Sequence, residues 1–255
     1  MPKDPTSWGD VADWYDRMLG EGDTFQAKVI LPNLTRLLAV KPGVRLLEIA
    51  CGQGYFSHAF AAQGAEVTGA DVAPELIALA QKKSPKAKSV KTPRFLVAPS
   101  HDVAPVAAGS VDMALIVLAL QNIDDVRGTF QECARALAAR GSLHAVLNHP
   151  AFRVPQGSGW EWDKDGRQYR RVDRYMTEAK VKIKMRPGAD PKAETISFHR
   201  PLQFFVKALA KQGFAVTNLE EWTSHKTSDS GPRAKEENRA RKEIPMFLYL
   251  EAKKI

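Results

Sequence analysis

A carboxylate and three small residues stand close together in the run LLEIACGQGYF, residues 46–56. Glu48 lies inside an apolar stretch typical of a strand, and Gly52 and Gly54 follow in a turn that opens a helical segment. Such a strand–turn–helix unit lets backbone atoms approach a ligand closely and points helix N–H groups at it. A carboxylate at this place repels a pyrophosphate but attracts a cationic amino group. The run therefore predicts a site for a nucleotide-like cofactor that carries an ammonium group.

A second carboxylate, Asp71, lies 17 residues after Gly54 at the end of the next predicted strand. An aspartate there is expected to accept hydrogen bonds from both hydroxyls of a ribose. The alternative is that Asp71 caps the helix predicted to begin at Pro74. A dinucleotide-binding fingerprint would need a third glycine where the chain has Ser57, so a nicotinamide cofactor is the less favoured interpretation.

The segment from Glu48 to Gly54 resembles the first motif of the class I S-adenosylmethionine-dependent methyltransferases, in particular the small-molecule branch that includes the ubiquinone and menaquinone C-methyltransferases. That motif runs acidic-x-Gly-x-Gly-x-Gly, and Ala50 replaces its first glycine. Alanine is tolerable there if the residue has a negative φ. The resemblance implies S-adenosyl-L-methionine as cofactor and S-adenosyl-L-homocysteine as product. It also implies that Glu48 contacts the cofactor's amino group, directly or through water, and that Gly52 and Gly54 pass under its methionyl and ribose portions.

The resemblance extends to the predicted adenine end of the site. Val72 is expected to pack on the adenine ring. After the third strand the family usually has an acidic-Ala pair that binds the adenine amino group, whereas this chain reads Pro99-Ser100-His101. Ser100 is the expected replacement acceptor, with His101 beside it in the cofactor site.

At the methyl end, the resemblance places Leu118 and Ala119 against the cofactor and Gln121 and Asn122 beside the transferable methyl group. Asn122 is therefore a candidate catalytic residue. Tyr15, in the N-terminal helical region, resembles the aromatic residue that covers the cofactor in this branch. A tyrosine of the hydrophobic core is the alternative for Tyr15.

A sulfonium methyl group is already activated, so the protein mainly has to align the acceptor and exclude water. A base is needed only if the acceptor loses a proton. His149 ends the fifth predicted strand, at the edge where doubly wound sheets bind ligands, and is the first candidate for contacting the acceptor or acting as base. His199 is the second candidate. The alternative for His149 is a core histidine hydrogen-bonded to the following segment.

The elements that must position these residues alternate short apolar runs with segments of helical period from Val44 onward. This alternation predicts an α/β, Rossmann-like sheet of seven mostly parallel strands with helices on both faces. The family resemblance adds that the last strand is antiparallel. The predicted strands are 44–50, 65–71, 94–98, 110–120, 142–149, 214–222 and 244–252, with a helix before the fifth strand that stops at Gly141 in the left-handed conformation.

We expect residues 1–255 to form a single domain with an N-terminal helical cap, 1–43, and an insertion, 150–197, that covers the acceptor. The insertion alternates polar and apolar residues near 167–175 and 180–185, which predicts two short antiparallel strands. Its aromatic residues suit an apolar acceptor or, alternatively, a small satellite core. Its arginines suit an anionic group or, alternatively, an outer strand face. These residues are Phe152, Trp160, Trp162, Tyr169, Arg167, Arg170, Arg171 and Arg174.

Composition restricts the class of protein further. The formal net charge is +8, which favours anionic partners without identifying a binding site. Cys51 and Cys133 have neither metal-ligand spacing nor the density of a disulfide scaffold, so we expect reduced, buried thiols and no metal. No apolar run is long enough to span a membrane and no signal peptide is evident, which favours the cytoplasm.

The sequence thus predicts S-adenosylmethionine-dependent methyl transfer to a small-molecule acceptor, aromatic or anionic. A nucleic-acid methyltransferase is an alternative that the positive charge favours. Against it, the chain reads LALQNIDD after the fourth strand, without an Asn-Pro-Pro-aromatic or Asp-Pro-Pro-aromatic motif, and no RNA-binding module is appended. A non-catalytic cofactor-binding protein is a second alternative, because Ala50 and the missing adenine carboxylate depart from the motif. The acceptor, the methylated atom and the oligomeric state stay open.

Overall fold

The computed structural model describes Trp8 and residues 12–20, 22–85, 91–186 and 190–255. For residues 15, 186 and 190–193 it describes the backbone alone. The strands are β1 Arg45–Ile49, β2 Glu66–Asp71, β3 Arg94–Val97, β4 Val111–Val117, β5 Leu137–Asn148, β6 Ser158–Trp162, β7 Gln168–Val172, β8 Ala179–Arg186, β9 Asp190–His199, β10 Phe214–Trp222 and β11 Phe247–Lys254. The helices are α1 Ala12–Gly20, α2 Leu31–Leu38, α3 Tyr55–Ala62, α4 Pro74–Lys82, α5 Val126–Ala136, α6 Leu202–Lys211 and α7 Ala234–Glu243, with a π-helical turn, Gln26–Ile30, leading into α2.

Seven strands form one sheet in the order β10-β11-β5-β4-β1-β2-β3. The five strands from β1 to β5 are mutually parallel, and β11 runs antiparallel to both of its neighbours. The predicted Rossmann-like class, the seven strands and the antiparallel last strand are therefore confirmed. Because the carboxyl ends of parallel strands meet at one edge, the loops after β1, β2, β3 and β4 come together there.

Both faces of the central strands are covered, which explains why apolar residues predominate in them. Leu46 and Leu115 face a core formed with α2 and α3, in which Leu34 and Phe60 are fully buried. The next residues along the chain, Leu47 and Ile116, face the opposite core beneath α5 and α6. Successive residues in the middle of these strands thus alternate between two hydrophobic cores.

The predicted stop of the fifth helix at Gly141 is wrong. The helix α5 already ends at Ala136, and β5 begins at Leu137, which pairs with Val111. The residue with positive φ is Arg140, at 64°. Gly141 is required for another reason, since a Cβ there would lie 3.0 Å from the Ala138 carbonyl oxygen and 2.9 Å from Leu137 Cδ2.

The segment after β5 contains two hairpins instead of the two mutually paired strands that the alternation predicted. The strand β7 pairs with β6, and β8 pairs with β9. Asp163 fixes the first turn, because its side chain accepts hydrogen bonds from the N–H groups of Asp165 and Arg167. The alternation identified one strand of each hairpin, and the partner strands lacked that signal.

The N-terminal region is helical as predicted, with α1 and the π-turn–α2 unit preceding the sheet. Val29, Ile30 and Leu34 of this unit pack into the core shared with α3. Within the described ranges, the structure contains no helix of the length and apolar character needed to cross a bilayer.

Candidate functional site

The turn after β1 contains three residues in the left-handed region of backbone conformation. Ala50 has φ 54°, Gly52 has φ 56° and Gly54 has φ 78°. The condition of a negative φ at Ala50 is therefore not met, and a Cβ in this conformation costs about 1–2 kcal/mol. Ala50 thus adds local strain to the turn.

Gly54 serves the packing of this turn. It precedes the first residue of α3, and a Cβ on it would lie 2.8 Å from Phe95 Cζ and 3.1 Å from Ala80 Cβ. The helix α3 can approach β3 and α4 this closely only with glycine at that position. Gly54 does not line either of the cavities described below.

Asp71 connects the turns after β1 and β2. Its Oδ2 accepts a hydrogen bond from the Gly52 N–H at 2.8 Å, and its Oδ1 accepts one from the Ala73 N–H at 2.9 Å. Burial raises the pKa of Asp71, and the two N–H donors oppose that rise. Each carboxylate oxygen keeps a free lone pair, so the group is fixed in orientation and can still accept hydrogen bonds from a ligand.

Glu48 lies beneath the turn rather than in the cavities. It is 2% exposed, and its carboxyl group accepts a hydrogen bond from the hydroxyl of Ser57 on α3. Burial raises the pKa of Glu48 to about 8, because the charged form is desolvated. In the sequence, Ser57 was noticed only as a missing glycine, whereas in the structure it is the partner of Glu48.

Two adjoining cavities open at the carboxyl edge of the parallel strands. One has a volume of about 250 Å³ and the other of about 120 Å³, and together they are at the lower end of the range for small-molecule sites. Both are lined by Ala50, Asp71, Val72, Asn122 and Ile123.

The larger cavity also contains the predicted adenine-end residues Ser100 and His101. The Ser100 hydroxyl lies 2.8 Å from the Thr129 hydroxyl, which itself donates to the Asp125 carbonyl oxygen. Because Thr129 has only one hydroxyl proton, Ser100 must be the donor in their contact. The lone pairs of Ser100 are therefore left for another donor, as an adenine acceptor requires.

The smaller cavity contains the predicted methyl-end residues. Gly52, Leu118 and Ala119 line it, together with Trp8 from the N-terminal region and Leu76 from α4. Leu118 has φ 51°, and its N–H donates to the Val146 carbonyl oxygen of β5. Trp8 and Leu76 had no signal in the motif, because they reach the site only through folding.

The second hairpin of the insertion forms part of the wall of the larger cavity. Lys180 and Phe198 line it, and the Lys180 ammonium lies 5.3 Å from the centre of the Phe198 ring. The Asn122 side-chain amide donates to the Ile196 carbonyl oxygen at 3.0 Å, and the Phe198 N–H donates to the Gln121 carbonyl oxygen at 2.6 Å. The β8–β9 hairpin is thus fixed to the loop after β4. Sequence reasoning missed these contacts, which depend on long-range pairing.

The site predictions for His149, His199 and Tyr15 have different outcomes. His149 lies outside both cavities, and its Nε2 is 2.6 Å from Glu221 Oε1, while its Nδ1 accepts from the Ala151 N–H. Burial lowers the pKa of His149, although Glu221 opposes this effect, and the neutral form of the ring is favoured. Both ring nitrogens are engaged in the two contacts just described. His199 donates to the Tyr175 carbonyl oxygen. The core interpretation therefore fits both histidines better than catalysis. The side chain of Tyr15 lies outside the described residues.

Among the described residues, the other side chains of reactive type show no sign of a catalytic or metal-binding role. Cys51 and Cys133 are buried free thiols, as predicted, and burial raises the pKa of both. Among the described residues, His, Cys, Asp and Glu side chains nowhere gather in a group that could hold a metal ion. The side-chain oxygen of Gln121, by contrast, is buried without a hydrogen-bond partner.

Comparison with known proteins agrees with this geometry. The profile of a family described as a methyltransferase domain matches residues 47–145. The ubiquinone biosynthesis O-methyltransferase of Xanthomonas campestris pv. campestris is 35% identical over 102 residues, which are 40% of this chain and 42% of that protein. The chain thus aligns with about two fifths of the length of the curated relatives that it matches.

Solved structures resemble a much larger part of the chain. An S-adenosylmethionine-dependent methyltransferase from Mesorhizobium loti superposes with a TM-score of 0.69 and 26% identity, over 88% of this chain and 96% of that one. The magnesium protoporphyrin IX methyltransferase of Synechocystis PCC 6803, with bound S-adenosylhomocysteine, has a TM-score of 0.63 over 99% and 100% of the two chains. Its identity of 16% supports the fold alone. Residues 47–145 thus match a methyltransferase-domain family, and the fold of the chain is similar to that of S-adenosylmethionine-dependent methyltransferases.

Proposed function

We propose that this chain binds S-adenosyl-L-methionine in the two adjoining cavities and transfers its methyl group to a small-molecule acceptor, releasing S-adenosyl-L-homocysteine. The observation that carries the proposal is the Asp71 carboxylate. Two backbone N–H groups hold it where the cavities meet, and each of its oxygens keeps a lone pair for a ribose hydroxyl. Two fixed acceptor atoms at this place match the two neighbouring hydroxyls of a ribose.

The other residues of the cavities fit the remaining parts of this cofactor. Ser100 offers an acceptor to the adenine amino group, and Val72 and Ile123 offer apolar walls to the ring. Gly52 and Leu118 line the smaller cavity, where the methionyl portion would lie. Asn122 lines both cavities, which suits a residue beside the methyl group. Glu48 stays a proposed partner of the cofactor's amino group, acting from beneath the turn.

The bound cofactor would supply an activated methyl group on a sulfonium. The residues of this chain then have three tasks: to hold the ribose through Asp71, to exclude water with the apolar walls, and to align the acceptor. No general base is assigned, because both nitrogens of His149 are already engaged. An acceptor that ionises by itself, or one with a free lone pair, needs no base.

Calorimetric titration with S-adenosylmethionine and S-adenosylhomocysteine tests the cofactor assignment. We expect binding by the unchanged protein and a loss of at least tenfold in affinity for Asp71→Ala, because two hydrogen bonds to a charged acceptor disappear. Asp112→Ala is the matched control, since Asp112 lies at the opposite end of the sheet, paired with Arg45. Failure of both ligands to bind the folded, unchanged protein would refute the proposal.

A further inference from the structure

A third cavity lies outside the cofactor site, between the insertion and the start of β11. Its volume is about 200 Å³. Phe152 and Arg153 reach it from the loop after β5, and Met246 reaches it from the residue before β11. Because β11 runs antiparallel to β5, both segments lie at the carboxyl edge of the parallel strands, the same edge as the cofactor cavities. Phe25, which also lines this cavity, packs against the same core cluster as Leu118 and Met246.

The lining of this third cavity combines aromatic rings with positive charge. Phe25, Phe152 and Trp160 supply the rings, while no Asp or Glu lines the cavity. Four cations do: Arg153, Arg170, Lys226 and Arg241. Two of the four are compensated, because Lys226 pairs with Asp23 and Arg241 with Glu237.

Arg170 and Arg153 have no carboxylate partner among the described residues. Arg170 is nevertheless fixed, since its guanidinium donates to the Phe152 carbonyl oxygen and the Ser158 hydroxyl, both at 2.7 Å, and lies over the Trp160 ring. The Arg153 guanidinium has no such hydrogen bonds. Arg153 as a residue is exposed to solvent, yet the protein surrounding its guanidinium and the nearby Arg170 charge both lower the pKa of Arg153.

A guanidinium without a carboxylate partner, lining the same cavity as a second, fixed one, makes this cavity attractive to an anion. A carboxylate or a phosphate matches the donor fork of arginine, and the aromatic walls favour a flat apolar body attached to it. We propose that this third cavity binds a planar aromatic molecule through an anionic substituent, with Arg153 as the residue that takes the anion. This molecule is the methyl acceptor, and that part of the inference rests on the proposed function.

The test uses 2-naphthoate as probe and 2-naphthalenemethanol as its neutral analogue, titrated calorimetrically into the full chain with and without S-adenosylhomocysteine. We expect 2-naphthoate to bind at least tenfold more tightly than the alcohol. Arg153→Gln should abolish that preference, and Arg153→Lys should keep part of it, because it keeps the charge but loses the fork. Arg167→Gln is the matched control, because Arg167 is an exposed arginine of the same insertion that does not line the cavity.

Equal affinity for the two probes in the unchanged chain would overturn the inference, as would a preference that survives in folded Arg153→Gln. Arg153-dependent binding of a single-stranded RNA oligonucleotide without any preference for naphthoate would also overturn it. Because the probes are titrated separately from the cofactor, the two proposals fail separately. Cofactor binding without the naphthoate preference refutes the anion site alone. An Arg153-dependent preference in a chain that binds no cofactor supports the anion site and refutes the proposed function.

Discussion

At the scale of single residues, a buried carboxylic acid lies beneath the turn of the proposed cofactor site without lining its cavities. Glu48 is enclosed below the glycine turn with Ser57 as its hydrogen-bond partner, and burial raises its pKa to about 8. At neutral pH the carboxyl group is therefore largely protonated. A cationic amino group bound above the turn would favour the ionised form, so cofactor binding at pH 7 should release protons.

The raised pKa of Glu48 also predicts how stability depends on pH. The folded chain binds a proton at Glu48 that the unfolded chain releases above about pH 4.5, so this residue contributes stability at acidic pH that is lost as pH rises through about 8. Glu48→Gln should remove this dependence and raise the melting temperature relative to the unchanged chain more at pH 8.5 than at pH 5. Thermal denaturation across this range measures the effect. Glu75→Gln, at an exposed glutamate in the first turn of α4, should not change the slope, and an unchanged slope in Glu48→Gln would contradict the prediction.

At the scale of elements, the loop after β4 joins the cofactor site to the insertion. Asn122 lines both cofactor cavities and donates its side-chain amide to the Ile196 carbonyl oxygen of β9. The insertion is therefore fixed to the same loop that would lie beside the methyl group. An acceptor held by the insertion would be positioned relative to the cofactor partly through this hydrogen bond.

The connection can be tested by amide hydrogen exchange. Asn122→Ala removes one neutral hydrogen bond, worth about 1 kcal/mol, so exchange in β8 and β9 should accelerate about fivefold while β1 and β4 stay protected. Asn33→Ala is the matched control, because the Asn33 side chain in α2 makes the same kind of bond to the Val29 carbonyl oxygen of the preceding π-helical turn. Unchanged exchange in β9 would show that the hairpin is held by other contacts.

Elements differ in how far the sequence predicts them. The strand β4 was evident because two covered faces produce a nearly continuous apolar run, and β1 and β2 were evident as short runs rich in apolar residues that end in turns. The turn after β1 and Asp71 were evident because their chemistry is local in sequence. Lys180 and Phe198 reach the larger cavity only because β8 pairs with β9, and no local pattern contains that information. The φ of Ala50 was missed because an alanine does not indicate that its backbone is held in a glycine conformation by its neighbours.

At the scale of the whole molecule, the two proposed sites share one edge of the sheet and differ in charge. Asp71 and Asp125 are carboxylates in the larger cofactor cavity, whereas every charged side chain that lines the third cavity is a cation. The cations of the third cavity account for part of the formal net charge of +8. Charge spread over the surface would serve nucleic acid better than it would serve a small anion.

Cofactor binding should stabilise the whole fold, because its cavities join loops from four strands. A ligand present at a hundredfold excess over its Kd adds about 2.7 kcal/mol to the free energy of unfolding. For a chain of this size that corresponds to roughly 5–10 °C in Tm. S-adenosylhomocysteine should produce this shift in differential scanning fluorimetry, with Asp112→Ala behaving as the unchanged chain and Asp71→Ala showing a much smaller shift. The same Tm shift in Asp71→Ala would show that Asp71 does not contribute to binding of the ribose.

Two hydrogen bonds that join β9 to the loop after β4 use main-chain atoms on the side of the insertion, the Ile196 carbonyl oxygen and the Phe198 N–H. Any residue except proline at 198 can supply them. Exposed side chains of the β8–β9 hairpin that do not line the larger cavity can therefore be exchanged without removing these two hydrogen bonds. For protein engineering, these positions of the hairpin could be varied in a library to change the proposed acceptor-facing surface. The two main-chain hydrogen bonds would stay the same in every variant.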